Sequence, residues 1–390
     1  MADPSATKFD ARGITETIER ALASAGLNAQ SGLTRGIMDT INQSLTTAGL
    51  MQPSASPSDG SVIMEGTARE VESPVSIRNM RIAPAANDPV GPALDKETGR
   101  DGEFLSRSFT NASGTRVYKV YVPACHADAA QAPMPLVVML HGCTQSPDDF
   151  AAGTRMNALA DRLGFVVVYP AQSGGANGSK CWNWFRAEDQ GRDGGEPSIV
   201  AGITREVAAR YGVDERRIFV AGMSAGAAMA VVLGATYPDL FAAVGAHSGL
   251  PYRAAHDMPS AFGAMHGGAS PAGVTATAVP TIVFHGDADH TVQARNGESI
   301  IEQALRSRAD RSTLRSDVQS GLAAGGTRYH RTTYVDAADR VVAEQWLLHG
   351  AAHAWSGGSA AGSYTDPRGP DASAEMIRFF LSQPPASTTQ

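Results

Sequence analysis

An α/β fold on a mostly parallel central sheet, with helices covering both faces, is what the sequence predicts for residues 104–383 of this 390-residue chain. Three observations point to it. Short solid apolar runs such as Leu136 to Leu140 read as strands buried on both faces. These runs alternate with segments of helical periodicity, as parallel strands joined by helical crossovers do. A chain of this length has room for two or three domains, yet one large α/β core can absorb about 280 residues.

The elements follow in order. Ile14, Ile18 and Leu22, then Leu33, Ile37, Ile41 and Leu45, recur every four positions around a break from Gly26 to Gly32, so residues 1–50 read as a pair of short amphipathic helices. Residues 51–103 carry six prolines among Ser, Ala and charged residues without sustained periodicity, and read as a flexible linker. Strands are expected over Arg116 to Val122, Leu136 to Leu140, Phe165 to Tyr169, Arg217 to Ala221, Phe241 to Ala246 and Thr281 to His285. The intervening helices are Asp148 to Leu163, Pro197 to Tyr211, Ala225 to Thr236 and Asn296 to Ser307. Two late strands, Arg328 to Val335 and Val341 to Leu348, precede a last helix from Ala372 to Leu381 and a disordered tail over 384–390. Arg306, Arg308, Arg311 and Arg315 read as a solvated helix face.

Composition excludes several classes of function. With 32 basic against 39 acidic residues the net charge is −7, so no overall positive field favours nucleic acid. A mean hydropathy of −0.17, with no apolar run of about 18 residues, argues against a transmembrane segment. The three cysteines, Cys125, Cys143 and Cys181, make neither a metal-type CxxC pair nor an even disulfide framework, and neither metal nor cofactor is expected. Cys143 reads as a small packed residue or as a disulfide partner of Cys181 under oxidising conditions, not as a nucleophile. The N-terminus lacks a basic region followed by an apolar one, which gives a cytoplasmic expectation.

In such a sheet the functional loops lie at the carboxyl ends of the strands. One of them reads Gly222-Met223-Ser224-Ala225-Gly226. The G-x-S-x-G pattern is weak alone, but here a strand precedes it, a helix follows, and small residues flank the turn, as a nucleophile elbow requires. A helix starting at Ala225 directs free N–H groups at the oxygen of a tetrahedral intermediate. Serine needs a base and an orienting carboxylate, which follow in chain order. His285-Gly286-Asp287-Ala288-Asp289 offers two carboxylates, and the segment Leu347 to Trp355 offers His349 and His353. Spacing leaves both choices open, although a loop histidine swings over the serine more easily than one in a strand, which favours His353. The second oxyanion donor belongs in the loop after Leu140, so the backbone N–H groups of Cys143 and Ala225 are the expected pair.

Taken together, LHGCTQ, DDFAAGTRMNALAD, CWNWF, GMSAG, HGDADHTV and HAWSGG resemble the polyhydroxybutyrate depolymerase family of esterases, over about residues 104–383. The resemblance implies an α/β-hydrolase fold, Ser224 as nucleophile, Asp289 as acid and His353 as base. Where the family commonly has Gly-x-His, this chain has Ala351 two residues before His353. Hydrolysis of a short-chain polyhydroxyalkanoate polyester or its oligomers is the implied activity, with feruloyl or acetylxylan esters as the alternative. A reading of another class is a granule-associated binding protein. Trp182, Trp184 and Trp355 are the expected aromatic substrate contacts, and for Trp182 and Trp184 core packing is an equal expectation. Residues 1–50 offer a route to a granule surface or to self-association. The chain shows neither the signal peptide nor the substrate-binding domain of the secreted members, and resembles the shorter members thought to act inside cells.

Overall fold

A computed structural model describes residues 102–127, 133–269 and 279–384. All of them fall in Asp88–Gln390, one of two compact units of the chain. The expected helical pair at 1–50, the linker up to residue 101 and the tail from 385 lie outside the described residues.

The chain enters its sheet through an antiparallel hairpin, β1 (Glu103–Asn111) and β2 (Gly114–Val122). Next come β3 (Leu136–Leu140), β4 (Val166–Pro170), β5 (Ile218–Met223), β6 (Ala243–His247) and β7 (Thr281–Gly286), buried along their whole length. The run ends with β8 (Arg315–Leu322), β9 (Arg328–Val335) and β10 (Val341–Leu348). Ten strands join in the order β1-β2-β4-β3-β5-β6-β7-β10-β9-β8. The pairings from β4 through β3, β5, β6 and β7 to β10 are all parallel, and the strands beyond them on both sides are antiparallel.

Helices cover both faces. Leu136, Val138 and Leu140 of β3 pack with α3 (Gly195–Tyr211) and α4 (Ala225–Thr236), while Val137 and Met139 turn to the opposite core. That second core also takes residues of α1 (Pro147–Thr154), α2 (Met156–Leu163) and α7 (Ala372–Ser382). Two further helices, α5 (Met258–Gly267) and α6 (Arg295–Arg306), add Ala261, Ala264, Ile300 and Ile301 to the first. Burial of both strand faces is why these strands read as solid apolar runs.

Four expectations need correction. The single helix over Asp148 to Leu163 is two, because Arg155 adopts a left-handed conformation (φ 55°) and sends its guanidinium to the Gly357 carbonyl (2.7 Å) and Asp371 (3.0 Å). The segment before Arg116, where no strand was expected, forms β1. The four arginines share no helix face: Arg306 ends α6 and pairs with Glu302, Arg308 pairs with Asp310, and Arg315 opens β8 and meets Asp339. Finally, α5 and β8 occupy stretches in which no element was expected.

Candidate active site

Ser224 sits in the tight turn between β5 and α4 with φ 55° and ψ −122°, a backbone state a serine adopts only where its surroundings impose it. Small neighbours make the turn possible: a Cβ on Gly226 would lie 2.1 Å from the Leu140 carbonyl oxygen, and one on Gly222 2.5 Å from the Gly226 backbone. The Ser224 N–H donates to the His247 carbonyl (2.9 Å), so β6 fixes the turn from the other side.

Asp289 is buried in the loop after β7. Its Oδ1 accepts the N–H groups of Thr291 (2.9 Å) and Val292 (2.8 Å), which aims Oδ2 at His353 Nδ1, 2.7 Å away. Burial alone would raise this carboxyl. The His353 hydrogen bond and charge, the Val292 N–H and His285 outweigh burial and hold it below the ordinary aspartate value. Nδ1 of His353 is therefore the protonated nitrogen that donates, leaving Nε2 as the basic one.

His247 links the serine turn to the His353 loop. Its Nε2 accepts the Ser356 N–H (3.0 Å), and its ring stacks between Phe284 and Trp355 at 5.8 and 5.2 Å. Complete burial, reinforced by His285 and His353, pushes its pKa down to about 3, so it is neutral and serves as an acceptor. His285, also buried and lowered, meets the Val292 carbonyl through Nε2 (2.8 Å) and braces the acid loop. Among the described residues no hydrogen bond joins Ser224 Oγ to His353 Nε2. In unliganded serine hydrolases this contact often tightens only when substrate binds.

The alternative residues pair with each other instead. Asp287 binds His349 Nδ1 (2.8 Å) and the Gly350 N–H (2.6 Å), and His349 Nε2 meets His330 Nδ1 (2.8 Å).

Cys143 follows β3 in a loop packed against the elbow, where a Cβ on Gly142 would stand 3.7 Å from Ser224 Cβ. Among the described residues neither the Cys143 nor the Ala225 amide has a hydrogen-bond acceptor. Cys143 is joined to Cys181 by a disulfide. Both sulfur residues, Ser224 and Ala225 line a mainly apolar cavity of about 210 Å³.

Of the three tryptophans expected to touch substrate, Trp184 lines this cavity, beside Phe185. Trp355 does not reach it: the indole is 1% exposed, packs edge-on to Phe150 and donates Nε1–H to Ser373 Oγ (3.1 Å). Trp182 is likewise fully buried, beside His141, so for these two the indole is core. Sequence reading missed Met258, Phe262 and Met265 of α5, which also line the cavity. Their i, i+4, i+7 spacing after the helix-capping Asp257 was the available signal. A larger groove of about 720 Å³ between α6 and β8–β10 contains none of the expected catalytic residues. Among the described residues no group of three or more His, Cys, Asp or Glu is arranged to hold a metal, and no helix is long and apolar enough to cross a membrane.

Residues 116–328 match the model of the family described as Esterase PHB depolymerase. The chain is 36% identical over 212 residues to poly(3-hydroxyalkanoate) depolymerase C of Paucimonas lemoignei, covering 51% of this chain and 50% of that protein. It is 35% identical over 145 residues to feruloyl esterase B of Neurospora crassa, covering 37% and 47%. The chain thus spans about half the length of the curated relatives it matches. Among solved structures, an acetyl xylan esterase from Aspergillus awamori superposes with a TM-score of 0.57 at 20% identity, over 72% of this chain and all of that one, and shares the fold.

Proposed function

Because the chain belongs to the Esterase PHB depolymerase family and has the α/β-hydrolase fold, we propose that it is a serine carboxylesterase acting on short-chain polyhydroxyalkanoate polyester or its oligomers. In this reading Ser224 Oγ attacks the ester carbonyl while His353 Nε2 takes its proton. Asp289 holds the imidazole in the tautomer that makes Nε2 basic, and stabilises the imidazolium that forms. The Cys143 and Ala225 amides receive the developing oxyanion. His353 then returns the proton to the leaving alkoxide, and water repeats the sequence on the acyl-enzyme.

One observation carries the assignment: Asp289 and His353 are paired in a buried setting, and His247 ties their loop to a strained Ser224 at a helix N-terminus. The substrate class rests on the mainly apolar cavity, lined by Trp184, Phe185, Leu250, Met258, Phe262 and Met265 beside the polar Asn177 and Ser179. An apolar wall suits methyl-bearing hydroxyacyl units better than the sugar hydroxyls of a polysaccharide ester. The disulfide favours an oxidising compartment over the cytoplasm expected from the N-terminal sequence.

The test compares wild type with Ser224→Ala on amorphous polyhydroxybutyrate, a soluble butyrate ester and methyl ferulate. The variant is expected to lose on the order of 10³-fold or more in kcat on the first two. Near-full activity of Ser224→Ala would sink the nucleophile, and hydrolysis of the ferulate alone would overturn the polyester.

A further inference from the structure

Beside the pair proposed for catalysis, a second chain of hydrogen bonds runs outward and has no part in the ester chemistry. Asp287 Oδ1 accepts the Gly350 N–H (2.6 Å), which fixes the carboxylate and leaves Oδ2 facing His349 Nδ1 at 2.8 Å. A carboxylate only accepts, so His349 Nδ1 carries the proton and the ring's lone pair is on Nε2. His330 Nδ1 lies 2.8 Å from that lone pair, with the two rings at 87° and their centroids 4.6 Å apart. The backbone holds both imidazoles in place. His330 stands in β9 opposite Leu347 of β10, and the His349 N–H continues the ladder by donating to the Arg328 carbonyl (2.9 Å).

Two ring nitrogens converging on one point are a pair of metal donors. A histidine that ligates through one nitrogen gives its other N–H to a carboxylate or carbonyl in almost every case, and Asp287 is that partner for His349. Tetrahedral Zn²⁺ with nitrogens at about 2.0–2.1 Å sets them about 3.3 Å apart, so ring rotations that open the contact by about 0.5 Å admit the ion. His330 also lines the groove of about 720 Å³ between α6 and β8–β10, whose charged lining groups are Glu298, Glu302 and Arg311. The groove leaves room for water on the open side of the ion. Water completes the coordination, because among the described residues no group of three His, Cys, Asp or Glu side chains is arranged to do so.

We infer that His349 Nε2 and His330 Nδ1 form a binding site for a divalent transition ion of the Zn²⁺, Ni²⁺ and Cu²⁺ class, with Asp287 as its outer carboxylate, separate from the ester chemistry proposed above. Two bonds form, one from each nitrogen to the ion, and two of the ion's waters leave. The proton on His330 Nδ1 moves through water to Nε2 of the same ring, so both imidazoles stay neutral and no net proton is lost. Imidazole donors select this class over Mg²⁺ and Ca²⁺, which take oxygen ligands. The bound ion clips β9 to the segment that leads from β10 to His353. Its effect is therefore on the stability of this edge of the sheet, not on a step at Ser224.

The experiment titrates the full chain, freed of metal with a chelator, against Zn²⁺ and against Mg²⁺ in a calorimeter. Wild type is compared with His330→Ala, His349→Ala and Asp287→Ala, and circular dichroism confirms that each is folded. Wild type is expected to bind one equivalent of Zn²⁺ and no Mg²⁺ in the same range. Loss of either ligand should weaken Zn²⁺ by at least about 10-fold, and loss of the outer carboxylate by about 10- to 100-fold. Saturating Zn²⁺ should raise the Tm of wild type and leave those of His330→Ala and His349→Ala unmoved. Cu²⁺ at one equivalent gives a second reading that needs no variant: its paramagnetic resonance spectrum should show coupling to two imidazole nitrogens. Zn²⁺ affinity unchanged in folded His330→Ala overturns the inference, because the ion then sits elsewhere. So does a Cu²⁺ spectrum with one imidazole or none, or Mg²⁺ bound as tightly as Zn²⁺.

Discussion

Two Asp–His pairs stand on the same two loops, and they differ in burial. Asp289 and His353 keep 0% and 13% of their side-chain surface, against 40% and 33% for Asp287 and His349. Their hydrogen bonds are almost equally short, at 2.7 and 2.8 Å. A short bond thus does not distinguish the buried pair from the exposed one. Surroundings do: the inner pair is tied through His247 to the serine turn, whereas the outer pair ends on the exposed His330.

The largest effect that would break this comparison is in turnover. His353→Ala is expected to lower kcat by about 10⁴-fold or more, and Asp289→Asn by about 10²- to 10⁴-fold, since the amide favours the wrong imidazole tautomer. His349→Ala and Asp287→Asn are expected to stay within about threefold on the same soluble ester. A reversed ranking would transfer the role to the outer pair.

Acid sharpens the contrast through stability. His247 has a folded pKa near 3, below its unfolded value of about 6.5, so the unfolded chain binds the proton first. Stability from His247 is complete above about pH 6.5 and drains as pH falls toward 3. Both aspartates are depressed, so their contribution is present above the unfolded value near 4 and is lost below it. Denaturant titrations from pH 7 to 4 should show a loss of stability beginning near pH 6.5 that is smaller, though not abolished, in His247→Gln, because His285 and His141 are also buried and lowered. An unchanged slope in that variant would remove His247 as the cause.

The smallest effect is that of salt. The outer pair contributes at most about 1 kcal/mol and is screened, so the destabilisation by Asp287→Asn is expected to vanish in about 1 M salt. That of Asp289→Asn should persist, because its partners are shielded from ions. Equal salt sensitivity would mean that the inner pair is as wet as the outer.

Burial also marks how far the sequence was legible. Strands enclosed on both faces, such as Leu136–Leu140, announce themselves through unbroken apolar runs. β8 does not, because RSDVQSGL is exposed nearly throughout and its pairing with β9 leaves no apolar rhythm. The Arg155 break has no glycine or proline to signal it, since it depends on acceptors more than 200 residues away, at Gly357 and Asp371. The elbow was legible because its constraint is steric and local, written in Gly222 and Gly226. Spacing alone did not choose between Asp287 and Asp289, because both share one loop; the family resemblance pointed to Asp289, and it is packing that separates the two. For the same reason the indoles misled: a tryptophan beside a loop histidine looks like a substrate wall, but Trp355 is held by Phe150, His247 and Ser373.

Arg155 has a wider reach than a helix break. Its guanidinium clasps Gly357 and Asp371, Ser359 N–H donates to the Gly153 carbonyl (2.8 Å), and Asp149 accepts the Ser363 N–H (2.9 Å). Asp149 also accepts from Gln145, the residue that closes the Cys143 loop. The Cys143 loop and the segment that follows His353 are thereby laced together and are expected to open as one cooperative unit. In amide exchange their protected protons are expected to be released with a common free energy, so that neither segment loosens without the other.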